Sequence, residues 1–270
     1  MKFSVLLSIY HKENPEYLRQ CMDSILSQTL LPDEIVMVKD GPLTEELDAM
    51  LDEYQQKISY MKLVPLKVNL GLGKALNEGL KHCSNELVAR MDTDDICKSN
   101  RFERQVAVFK KHPEYDVVSS WVDEFSENVD AIRSVRKLPE NHEEIFEYGK
   151  KRNPVNHPAV MFRKSAVEAT GSYMHFPYFE DYYLWARMLM GGYKFYNVQE
   201  SLLNFRTSDS VYMRRGGFAY AMTEVKFMME LHKIGYLGLV GALKGSALRF
   251  VVRIIPNSFR AWIYNKLLRK

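Results

Sequence analysis

The chain has 270 residues, 46% of them apolar, which is enough to bury one substantial core and too few to promise two independent enzymatic domains. Its 16 Tyr and 14 Phe, with no low-complexity tract or internal repeat, exclude a disordered chain. The net charge of +3 conceals a split: residues 231–270 hold eight Lys or Arg and no Asp or Glu, while the first 230 carry 29 basic and 34 acidic residues, a net −5. An acidic body with a basic tail points the tail toward an anionic partner, nucleic acid or a phospholipid surface. Cys21, Cys83 and Cys97 are odd in number and widely spaced, so they form neither a disulfide framework nor a CxxC metal site, and a reducing compartment fits them.

The run Phe3 to Ile9 is too short to span a bilayer, lacks a cleavable small-residue site and reads as a first buried strand. Asn14-Pro15 supplies an N-cap followed by proline at the first helical position, and Leu18, Cys21, Met22, Ile25 and Leu26 recur at helical spacing. Glu34 to Val38 forms a second apolar run that ends abruptly at Lys39-Asp40-Gly41-Pro42. A helix near 44–57, a strand at Met61 to Pro65, a helix from about Gly73 to Cys83 and a strand at Leu87 to Met91 follow. This alternation predicts a mostly parallel central sheet flanked by helices, an α/β fold. Phe102, Val106 and Phe109 predict another helix and Val117 to Trp121 another strand. Beyond them, strands at Ala159 to Phe162 and Tyr193 to Val198, some antiparallel, flank a helix near 180–190 that stops at Gly191-Gly192.

The strongest chemical signal is Met91-Asp92-Thr93-Asp94-Asp95, three carboxylates in four positions directly after an apolar strand. Like charges this close repel, and a divalent cation shared with substrate phosphates relieves them; a solvated turn or an N-cap cluster is the alternative. Asp40 also follows a strand. Ligands of open parallel sheets bind beyond the carboxyl ends of the strands, which places Asp40, the acidic run and the end of the first strand, Ser8-Ile9-Tyr10, at one crevice. Gly71-Leu72-Gly73-Lys74-Ala75-Leu76 has Leu where the third glycine of GxGxxG belongs, and it lacks the Ser or Thr of a P-loop.

These blocks resemble the inverting GT-A glycosyltransferases of family 2, especially bacterial enzymes of O-antigen, capsule and exopolysaccharide synthesis. Residues 4–10, Gln28-Thr29, 34–41, 69–79 and 91–95 stand in the family's order, and the resemblance covers about residues 3–210. It implies the GT-A nucleotide-diphospho-sugar transferase fold over 1–230, with a nucleotide half near 1–120 and an acceptor half near 121–230. Asp40 and Ser8 to Tyr10 would hold the base and ribose. Asp92 and Asp94, with Thr93 between them, match the DxD motif that binds Mn²⁺ or Mg²⁺, and Asp95 is similar to an extra acid many members carry. Asn69, Gly71 and Lys74 resemble the loop that closes over the donor, although Lys74 also reads as an ordinary surface lysine.

Glu180-Asp181 before an amphipathic helix reads as N-terminal capping on its own terms. The resemblance implies instead Asp181 as general base, with Glu180 as its neighbour, taking the acceptor hydroxyl's proton. His157, in Asn156-His157-Pro158, matches a family element and has an equally good structural reading. Arg206 and the stretch Arg214-Arg215-Gly216-Gly217 resemble a late basic loop that folds over diphosphate or a lipid-linked acceptor, and their other reading is a solvated basic turn. The Gln-x-x-Arg-Trp element of processive synthases is absent, which implies one sugar per encounter.

From 231 onward apolar residues alternate with Lys and Arg, without an uncharged run long enough to span a bilayer. Helices lying in an anionic membrane interface fit this pattern, as does packing on the acidic body. The tail carries no recognised nucleic-acid reader. The expected partners are a nucleotide-sugar donor, most simply UDP-linked, a glycan or lipid-linked glycan acceptor and a membrane surface. The expected location is the cytoplasmic face of a bacterial membrane. A nucleotidyltransferase that makes a nucleotide sugar, and a non-catalytic sugar-nucleotide-binding module, are the competing readings.

Overall fold

The computed structural model describes residues 1–207 and 217–254. Arg214, Arg215 and the tail beyond 254, on which part of the basic-loop and tail expectations fall, lie outside the described residues. The chain divides into two compact units, the first Met1–His175 with Glu180–Arg206, the second Phe176–Phe179 with the chain from Thr207 onward.

In the first unit, β1 (Phe3–Ile9), β2 (Glu34–Lys39), β3 (Met61–Pro65) and β4 (Leu87–Arg90) are parallel, in the order β3-β2-β1-β4. Runs such as Val5, Leu6, Leu7 and Ile35 to Val38 are fully buried because helices cover the sheet, so these strands read as continuous apolar stretches. α1 (Pro15–Leu26) starts at Asn14, whose side chain accepts the Glu16 N–H at 2.9 Å, and α2 (Glu45–Lys57) starts at Thr44, which accepts from Leu47 N–H. α3 (Leu72–His82) lies so close to the sheet that a Cβ at Gly79 would come within 2.5 Å of Leu6 and Val38 side-chain carbons.

The sheet then continues through β8 (Met161–Arg163), antiparallel to both β4 and β6 (Val117–Phe125). Beyond it come β9 (Phe195–Arg206), parallel to β6, and the two-residue β5 (Ile96–Cys97), antiparallel to β9. β7 (Ser134–Arg136) pairs with β6. β9 runs eight residues past its expected end at Val198, because β6 and β5 supply backbone partners along its length. A 3-10 turn at His157–Ala159 delays β8, where a strand is expected from Ala159. α4 (Arg101–Lys111) and α7 (Glu180–Met190) form as expected; α5 (His142–Gly149) and α6 (Lys164–Ala169) have only short apolar patterns and escape a reading by periodicity.

The second unit contains α8 (Phe218–Lys233) and α9 (Leu239–Ile254). Buried Glu224 of α8 accepts from Arg249 Nη1 at 3.0 Å and from Arg253 Nε at 2.7 Å, which fixes the face α9 turns inward. Among the described residues no helix is long and apolar enough to cross a membrane.

Candidate active site

The carboxyl ends of β1, β2 and β4 assemble most of the expected site. Register places Ile9 beside Lys39 and Leu6 beside Arg90, so the segments that follow these strands leave the sheet at one edge. Asp40 is buried and accepts the backbone N–H groups of Leu70 (2.7 Å) and Gly71 (3.1 Å), while Asn69 Nδ2 donates to the Asp40 carbonyl at 3.1 Å. Asp40 therefore ties down the loop ahead of α3. Gly41 permits this approach: its φ is +88°, and a Cβ there would lie 2.7 Å from the Asn69 nitrogen. Ile9 is fully buried and meets Asp40 only through its carbonyl, which accepts the Asp40 N–H at 2.8 Å; it offers a ligand no side chain. Ser8 is half-buried and Tyr10 exposed beside His11.

Asp92, Asp94 and Asp95 each bring a carboxylate oxygen within 4.8 Å of the others. Burial, then the charges of Asp92 and Glu13, push the Asp94 carboxyl up to about 7, and burial, then the charges of Asp94 and Asp92, push Asp95 up as well. Asp95 Oδ1 accepts the Arg206 N–H at 2.8 Å, whereas its buried Oδ2 has no hydrogen-bond partner among the described residues. A desolvated, oxygen-only cluster with an orphaned acceptor fits a hard divalent cation. Two participants escape a sequence reading. Glu13 accepts from Thr93 Oγ1, and nothing in its loop distinguishes it. Arg90, 1% exposed, donates through both terminal nitrogens to the Asp92 carboxylate, and its signal was a charge ending the apolar run Leu87-Val88-Ala89.

On the acceptor side, Asp181 opens α7 and its Oδ2 accepts from Asn153 Nδ2 at 2.6 Å. Burial raises its carboxyl above the ordinary range, against the hydrogen bonds from Tyr182 N–H and Asn153 and the charges of Arg90 and Arg136. His157 Nε2 lies 2.8 Å from the Tyr173 hydroxyl and its ring edge meets Trp185; burial and then Arg90 hold it neutral. The Arg90 charge thus acts on Asp181, His157 and Tyr173 while its hydrogen bonds go to Asp92. The stem of Glu180 packs on Gly73, where a Cβ would come within 3.2 Å of it, and the two border a hollow of about 70 Å³ with exposed Lys74. A larger hollow, about 490 Å³, opens near Tyr115 and Lys194 at the amino ends of β6 and β9 and touches none of these residues.

One expectation changes. Arg206 is not part of a loop free to fold over a ligand: as the last residue of β9 it is buried between the rings of Tyr17 and Phe125, 3.8 and 4.5 Å from its guanidinium carbon. Its donors go to the Asp94 carbonyl (2.8 Å), Gln20 Oε1 (2.7 Å) and the Ser126 carbonyl, so it buttresses the acidic loop from behind. Phe176 and Phe179 pack on Phe227 with centroids at 5.2 and 4.6 Å.

Known proteins resemble this chain along its whole length. The glycosyl transferase family 2 model matches residues 4–171. An uncharacterized glycosyltransferase of Haemophilus influenzae is 43% identical over the full length of both chains. The Escherichia coli UDP-Gal:alpha-D-GlcNAc-diphosphoundecaprenol beta-1,3-galactosyltransferase is 38% identical, covering 100% of this chain and 97% of that protein. The crystal structure of S. aureus TarS 1–349 in complex with UDP-GlcNAc superposes with a TM-score of 0.67 at 18% identity, over 99% of this chain and 76% of the other, which is a likeness of fold. With its GT-A sheet and these relatives, the chain belongs to glycosyl transferase family 2 and is a glycosyltransferase.

Proposed function

We propose that the protein is an inverting, metal-dependent, non-processive transferase that moves a sugar from a UDP-sugar to a lipid-linked glycan at the cytoplasmic face of a bacterial membrane. The observation that carries this reading is the buried cluster of Asp92, Asp94 and Asp95 at the strand ends, in which Asp95 Oδ2 has no hydrogen-bond partner among the described residues. A donor diphosphate at the cluster would present its anomeric carbon toward the buried carboxylate that opens α7. The UDP donor and the lipid diphosphate acceptor are supported by the activity for which the Escherichia coli relative is named.

In this reading Asp94, with Asp95 and Asp92 beside it, holds Mn²⁺ or Mg²⁺, which when bound offsets the charge developing on the leaving diphosphate. Asp40 holds the donor loop of Asn69 to Gly71 over the nucleotide, and Ser8 and Tyr10 border the base and ribose. Thr93 orients the cluster through Glu13. Asp181, fixed by Asn153, accepts the proton of the acceptor hydroxyl as that oxygen bonds to the anomeric carbon and the bond to the diphosphate breaks. Attack from the face opposite the leaving group inverts the centre. Glu180 and Lys74 border the space between donor loop and acceptor helix, and Tyr173, held by neutral His157, lines it.

The outward face of α9 supports attachment to a membrane surface. Leu239, Val240, Leu243, Leu248, Val251 and Ile254 are 50–69% exposed on it, with Lys244 among them, and the segment that follows is basic. The three buried free cysteines suit a reducing compartment. The decisive experiment offers purified protein a panel of UDP, GDP and dTDP sugars with Mn²⁺ or EDTA, and compares Asp94→Ala and Asp181→Asn. Metal-dependent turnover of one donor, lost in both variants, supports the mechanism. Turnover indifferent to EDTA or to Asp94→Ala refutes the metal assignment.

A further inference from the structure

Arg90 is a buried charge with a single hydrogen-bonded counter-ion among the described residues. Both terminal nitrogens go to Asp92, and its Nε, also buried, has no partner among the described residues. The backbone around it is equally committed: its N–H donates to the Val160 carbonyl at 2.9 Å, and its carbonyl accepts from buried Arg101 Nη2 at 2.8 Å. A guanidinium enclosed in this way is left unpaired in the interior if Asp92 turns to another partner, and an uncompensated buried charge is strongly unfavourable.

Asp92 is also the one carboxylate of the cluster bonded to a cation among the described residues. Asp95 takes a backbone N–H, and Arg206 reaches Asp94 only through the carbonyl. The geometry therefore sets the Arg90 guanidinium and any metal ion in competition for Asp92. Small divalent cations are commonly held by one or two carboxylates together with substrate phosphates rather than by an all-protein cage.

We propose that Arg90 is a positioning residue that withholds Asp92 from the metal site, so that the cluster alone binds a divalent cation weakly and completes its coordination only when a nucleotide diphosphate supplies further oxygens. This rests on the reading of Asp92, Asp94 and Asp95 as the metal site. It makes the protein take up metal and nucleotide together, and it predicts that removing Arg90 strengthens metal binding in the absence of nucleotide while spoiling the orientation of Asp92.

The test is a Mn²⁺ titration of the full chain, following free Mn²⁺ by EPR, with and without UDP or GDP, for wild type, Arg90→Met, Arg90→Lys and the double variant Arg90→Met/Asp92→Asn. Near-ultraviolet circular dichroism checks folding. Wild type is expected to bind Mn²⁺ about tenfold or more tightly with UDP than without, a coupling of ordinary size. Arg90→Met, which frees a carboxylate and removes a positive charge, is expected to bind Mn²⁺ without nucleotide about tenfold more tightly than wild type. Asp92→Asn in the same chain is expected to abolish that gain. Should Arg90→Met fail to fold, Arg90→Lys carries the test with a smaller gain in the same direction, because an ammonium cannot hold both carboxylate oxygens.

A folded Arg90 variant whose nucleotide-free Mn²⁺ affinity is unchanged or weaker overturns the inference alone when wild type binds Mn²⁺ with UDP. A gain that survives Asp92→Asn also overturns it, by assigning the effect to charge rather than to release of Asp92. No Mn²⁺ binding by wild type with either nucleotide, and none by the Arg90 variants, overturns the inference and the metal site together.

Discussion

Asn153 Nδ2 donates to Asp181 Oδ2 at 2.6 Å, and this bond joins a loop after α5 to the first turn of α7, 28 residues along the chain. It favours the ionised carboxylate, against the burial that raises Asp181 above the ordinary carboxylate range. A general base with a raised pKa is active above that pKa and fades as the pH falls through it. Asn153→Ala removes a stabilising donor, so the acid limb of the kcat profile is expected to move to higher pH. Asp181→Asn is expected to lower kcat by about 10²–10⁴-fold with donor binding retained, the usual range for a lost general base. Steady-state kinetics across pH, beside calorimetric binding of UDP, checks both.

Asp40 is expected to matter for order in the donor loop. Asp40→Ala releases the Leu70 and Gly71 N–H groups, two hydrogen bonds to a charged acceptor whose loss costs about 2–3 kcal/mol of stability. UDP affinity should fall about tenfold, equivalent to ~1.4 kcal/mol. Urea unfolding and calorimetry separate the two, and unchanged UDP affinity would count against the loop's role over the donor.

Arg206 is expected to behave as a buttress. Arg206→Ala removes its bonds to the Asp94 carbonyl and Gln20 together with the stacking on Tyr17 and Phe125, a loss of roughly 2–4 kcal/mol. Arg206→Lys should recover little of it, since a single ammonium cannot reproduce a planar fork between two rings. Thermal denaturation of the three proteins is the check.

Glu34 is a structural acid whose pH dependence can be stated. It is buried in β2, and although burial raises its pKa, bonds from Lys62 Nζ and Ser4 Oγ (2.5 Å each) and from Ser84 lower it to about 2. A folded pKa below the unfolded one stabilises the protein above about 4.5, and that contribution is lost as the pH falls toward about 2. Glu34→Gln should cost about 1–3 kcal/mol at neutral pH. The gap to wild type should close in acid, as denaturant melts at pH 7, 4 and 3 would show.

The alternation of apolar strands and amphipathic helices through β4 was legible because each of those elements depends on local pattern: Asn14-Pro15 starts α1, and continuous burial makes β1 and β2 uniformly apolar. The acidic run Asp92 to Asp95 was equally legible, since its crowding of charge is a local anomaly. α5, α6 and β7 were not, because three to eight residues on an irregular surface carry too little periodicity.

What the sequence by itself determined, then, is which segments form the strands and helices of the nucleotide half and which residue types stand at the strand ends. The tertiary structure decided partnership. Arg206 reads as a basic loop residue until β9 pairs with β6 and carries it 112 residues back to the Asp94 carbonyl. Arg90 reads as the polar end of a strand until burial leaves Asp92 as its only hydrogen-bonded counter-ion among the described residues. Both assignments depend on which side chains lose water together. Desolvation is a property of the packed sheet, and no window of sequence contains it.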